Sequence, residues 1–151
     1  MFETIYSQLV AAAAVLVMAF GFWKGDEPER MGCAAYALIF LGTLMMPEGD
    51  DLGVPQWSLM AMDGVLLAVF LGLYFHSRRA WLVWASAFQG LIVTIHILVA
   101  ANLRPPSDAF ATAYNMSNYG VLIVIAVGTF WAWQERRAAA LGSEKTKPPR
   151  L

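Results

Sequence analysis

Asp63 and His96 are the residues of this sequence whose types and placement best suit chemistry, because each interrupts a long apolar run. An ionisable group is costly where water is excluded, so its presence there marks either a site that handles a proton or ligand, or a polar tie between helices. Depth can be reckoned at about 1.5 Å per helical residue. Asp63 stands 15 residues before Arg78, about 22 Å, and His96 stands 17 residues after Arg79, about 25 Å. The Ser77-Arg78-Arg79 turn between them makes the two segments antiparallel neighbours. The carboxylate and the imidazole are therefore expected at one level, with linked protonation states.

The same reckoning brings other polar groups to that level. Gln8 lies 16 residues before Lys24, Thr43 lies 13 after Arg30, and Asn118 and Tyr119 lie 18 and 17 before Arg136. Asn115 and Tyr114 fall about a turn higher. Gln89 shares a helical face with Ser86, Val93, His96 and Ala100. Asp63, His96, Asn115, Asn118, Tyr119, Gln8, Thr43 and Gln89 thus form a candidate polar layer. Beneath it, Val121 to Phe130 contains only Thr129 as a polar group, and Gly64 to Phe75 only Tyr74. That asymmetry fits a pocket open on one side and not a water-filled pore, which needs polar lining throughout. The same residues also suit a purely structural role, with Asp63 and His96 hydrogen-bonding neighbouring helices.

The elements that must position this layer follow from composition. Of 151 residues, 59% are hydrophobic and 14% charged, against roughly 45–50% and roughly 25% in soluble domains; the mean hydropathy is +0.56. So few charges cannot cover a soluble domain, and an integral membrane protein is expected. The net charge of −1 argues against nucleic-acid binding, which needs a concentrated basic excess. The single cysteine, Cys33, excludes an internal disulfide and a CxxC pair.

A span needs about 20 apolar residues, and five segments meet or approach this: about 4–23, 30–46, 56–75, 81–101 and 109–133. The expected fold is an all-α polytopic bundle of five transmembrane helices. With the N-terminus outside and the C-terminus inside, nine of the ten basic residues lie on the inner side, and only Arg104 faces outward. Residues 1–8 hold Glu3 and no Lys or Arg, so the first segment lacks the charged flank of a signal peptide. Asp26 and Pro28 read as a helix start. Trp23, Trp81, Trp84, Trp131 and Trp133 are expected as an inner aromatic belt, with Trp57 at the outer one. The acidic loop 47–55 reads as solvated and the basic tail 138–151 as disordered, touching anionic lipid headgroups.

Gly64, Ala68 and Gly72 make a small-residue stripe expected to pack against another helix, of this chain or another, and Gly120 and Gly128 offer the same on the fifth segment. No GxSxG, HExxH or P-loop occurs, so no enzyme, metal or cofactor is expected. His76 and His96 lie at opposite depths, which excludes bis-histidine haem ligation.

Five spans, this length and abundant Trp resemble the tryptophan-rich sensory proteins in shape, but that family's Trp- and Pro-containing motifs are absent, so its porphyrin and sterol binding does not carry over. The run Trp81-Leu82-Val83-Trp84-Ala85-Ser86-Ala87-Phe88-Gln89, with His96, Ala113-Tyr114 and Gly128-Thr129-Phe130-Trp131, is similar to small multi-pass proteins of alphaproteobacteria. That resemblance implies a bacterial inner-membrane location. The expected function is an accessory or structural subunit of a membrane assembly, bound to the bilayer and to a membrane protein partner or its own copies. The alternative is a small-molecule binding or transport protein using the pocket around Asp63 and His96.

Overall fold

The computed structural model describes residues 5–45, 56–103 and 107–145; loop 47–55, Arg104 and residues 146–151 lie outside it. Five helices follow one another: α1 (Ile5–Lys24), α2 (Glu27–Met45), α3 (Trp57–Ser77), α4 (Ala80–Ala100) and α5 (Ser107–Lys145). The links Gly25-Asp26 and Arg78-Arg79 are only two residues long, and Arg78 caps α3 in the left-handed region at φ 55°, donating its N–H to Tyr74 O.

Each helix packs on the next, and α5 returns to α1 to close a ring, with α2 also meeting α5. Successive helices run antiparallel, as the opposition of Phe70 to Trp81 and of Asp63 to His96 shows for α3 and α4. A ring of five must contain one parallel pair, and it is α1 with α5: Gly21 faces Thr129, and Lys24 O meets Arg136 further along both helices.

The bundle is apolar outside and carries polar groups inside. Leu16, Leu38, Val65, Leu91 and Ile123, one on each helix, are all more than half exposed, while Glu29, Asp63, Gln89, Ser117 and Thr129 are buried. Such an exterior is a liability in water and a match for lipid. Trp57–Ser77, Ala80–Ala100 and the Ala111–Gly142 part of α5 are long and apolar enough to cross a membrane.

Two expectations need correction. α5 does not stop near residue 133 but continues to Lys145, so residues 138–145 are helical, not a disordered tail; Ala138-Ala139-Ala140-Leu141 are among the strongest helix formers and carry the helix on without tertiary support. Trp81 is not an interfacial anchor. It is 3% exposed and wedged between Gly32 of α2 and Gly128 of α5. Trp23, Trp57, Trp84 and Trp131 do face outward.

Candidate functional site

Two polar centres occupy opposite ends of the ring. At the end bearing most of the basic residues, Asp26 precedes α2 and Glu29 lies in its first turn. The Glu29 carboxylate reaches back to accept the Asp26 N–H at 3.1 Å, the reciprocal half of a capping box. Its other oxygen accepts from Trp81 Nε1 at 2.8 Å. Arg79, in the α3–α4 turn, pairs with Asp26 at 3.1 Å and Glu135 at 2.7 Å and approaches Glu29 at 4.0 Å. Hydrogen bonding to Glu135, together with the carboxylates of Glu29 and Asp26, holds this guanidinium still more firmly in its charged form. Arg136 pairs with Asp26 at 3.0 Å and donates to Lys24 O. All five helices are thereby tied at this end.

Glicine positions explain how the helices approach so closely there. A Cβ on Gly128 would enter the Trp81 indole, and one on Gly32 would sit 2.8 Å from its far edge. Cys33 and Thr129 both face Gly21 across the α1–α2–α5 junction.

The opposite half opens into a cavity of about 340 Å³ between α1, α2, α3 and α5. Asp63 forms its wall on α3, with Tyr36 and Thr43 from α2 and Tyr114, Asn115, Asn118 and Tyr119 from α5. Ala14, Ile39, Leu66 and Leu122 supply apolar surface. Behind Asp63, α4 serves the carboxylate: Gln89 Nε2 donates to Oδ1 at 2.8 Å, and His96 Nε2 stands 3.0 Å from Oδ2. An ionised carboxylate is acceptor-only, so this bond forms with it when Nε2 is the protonated ring nitrogen. The His96 ring packs edge-on to Tyr114, centroids 5.8 Å apart.

Seven of the eight residues of the expected layer meet here. Five of them line the cavity, and Gln89 and His96 back it. Gln8 is exposed near the start of α1, and the α1 lining begins at Val10. Thr43 and Asn118 bond within their own helices, to Ile39 O and Tyr114 O. Tyr36 and Glu29 were not anticipated from the sequence, although Glu29, Gly32, Cys33 and Tyr36 recur at i, i+3, i+4 and i+7, the spacing of one buried face. The Gly64–Ala68–Gly72 stripe lies on the outside, with nothing within 4 Å of a Cβ at Gly64 or Gly72.

Among the described residues no group of three His, Cys, Asp or Glu could hold a metal ion. The chain matches no family model, no curated protein and no solved structure.

Proposed function

We propose that this chain is a multi-pass protein of a bacterial inner membrane, crossing it five times with its N-terminus outside, and that it binds a small amphipathic molecule without catalysing a reaction. The observation that carries this reading is the cavity. It combines an apolar lining with a few convergent polar groups, and it is large enough for a small ligand. The segregation of basic residues supports the orientation, which puts the open half of the ring in the outer leaflet.

A second reading, an accessory subunit of a membrane assembly or a homo-oligomer, is favoured by one feature. A Cβ at Gly64 or Gly72 of the small-residue stripe meets nothing within 4 Å, which leaves that face of α3 free for another chain to approach. Purification in a mild nonionic detergent separates the two. A co-purifying small molecule without a protein partner supports binding; a stoichiometric partner protein without a small molecule supports the accessory role.

A further inference from the structure

We infer that the ligand is an organic monocation, and that it competes with a proton on His96 for the Asp63 carboxylate. This rests on the cavity being a small-molecule site.

Charge comes first. Among the described residues lining the cavity, Asp63 is the only formally charged side chain, and none is Lys, Arg or His. An ionised carboxylate offers about four acceptor positions. Both of its described hydrogen bonds from side chains come from α4, Gln89 to Oδ1 and His96 to Oδ2. The side turned to the cavity is left for a donor or a cation.

Shape and chemistry of the wall agree. Tyr36, Phe40, Tyr114 and Tyr119 surround the space, and aromatic faces attract ammonium groups, most strongly when water is excluded. Apolar residues of α1 and α2 would receive an uncharged tail. An anion would meet the carboxylate, with no basic side chain among the described lining residues.

His96 adds the coupling. Among the described residues, the titratable groups facing the carboxylate are His96 from α4, Tyr36 from α2 and Tyr114 from α5, while the α1 lining residues Val10, Ala11 and Ala14 contribute none. Of these side-chain types only an imidazole can take on a positive charge. A protonated His96 neutralises Asp63 from behind, whereas a neutral His96 leaves one negative charge for the ligand. Cation binding therefore expels the proton, and acidification expels the cation, by one reciprocal coupling.

The test uses the full chain in dodecyl maltoside and calorimetric titration, with detergent alone as the blank. The probes are benzyltrimethylammonium and its uncharged carbon isostere, neopentylbenzene. At about pH 8, above the ordinary histidine range, the cation is expected to bind at least about tenfold more tightly than the isostere, the floor set by a desolvated cation on aromatic faces. Asp63→Asn should erase that preference. Acidification to about pH 5.5 should weaken the cation in the wild type but not in His96→Gln. Equal affinities of the two probes for the wild type would overturn the inference and leave the cavity as an apolar site, a comparison that needs no variant to fold. Binding of neither probe would overturn the inference and the small-molecule reading together. An acid effect that persists in His96→Gln would overturn the proton competition alone.

Discussion

The indole N–H of Trp81 donates to Glu29 Oε1 at 2.8 Å, joining residues 52 apart in sequence, with the acid 1% exposed and the ring 3% exposed. The bond turns a capping-box glutamate into the keystone of the basic end, since Glu29 also fixes the start of α2.

Trp81→Phe keeps most of the ring and removes the donor, leaving a buried carboxylate oxygen short of a partner. It should cost about 1–3 kcal/mol, read as thermal or SDS unfolding in detergent. Glu135→Gln should cost less than about 1 kcal/mol although its pair with Arg79 is only 2.7 Å long, because the Glu135 side chain is 65% exposed and water screens it. The reverse order of the two losses would show that the surface pair, not the buried bond, holds this end.

Glycine substitutions should separate the packed face from the open one. Gly128→Ala places a methyl 2.6 Å from Trp81 Cδ1 and should destabilise by about 1–3 kcal/mol through overpacking. Gly72→Ala meets nothing within 4 Å and should be neutral or stabilising by up to about 1 kcal/mol through helix propensity. Equal losses would mean that the α3 face is covered by another chain.

A double-mutant cycle on Asp63→Ala and His96→Ala measures whether the pair is more than polar glue. Hydrogen bonds between membrane helices typically couple by about 0.6 kcal/mol and at most about 1.7, whereas a bond to a charged group reaches about 1.5–3. A coupling in the upper range is expected near neutral pH. Additive losses would mean that the two side chains do not support one another.

Topology can be read with a reporter active only in the cytoplasm. Fusion at the C-terminus should be active and insertion after Asp50 silent. Activity at Asp50 would reverse the orientation and place the cavity in the inner leaflet.

Much of the helical order was legible because apolar runs and short links leave little freedom. The level shared by Asp63 and His96 followed from counting residues along two helices joined by a tight turn. Counting gives height but not azimuth, so it cannot separate Gln8, which is exposed, from the layer at its level, nor single out Tyr36, which lines the cavity. Trp81 read as a belt residue because interfacial and buried tryptophans look alike in sequence; the distinction lies in Gly32 and Gly128, two glycines on other helices that make room for one indole. Asp26-x-x-Glu29 carried a capping signal, but nothing local says that a capping glutamate will be buried. The apolar run of the fifth segment ends at Trp133, whereas the helix, carried on by Ala138-Ala139-Ala140-Leu141, continues to Lys145.

The cavity is tested most directly by filling it. Thr43 lines it, and its hydroxyl bonds within α2, to Ile39 O at 2.9 Å, so Thr43→Trp inserts an indole without breaking a described bond between helices. Native mass spectrometry of both proteins from mild detergent is the measurement. The wild type should carry a small-molecule adduct that Thr43→Trp lacks while keeping the wild-type unfolding temperature. The same adduct on both proteins, or a stoichiometric protein partner and no adduct on the wild type, would contradict a ligand site at Asp63.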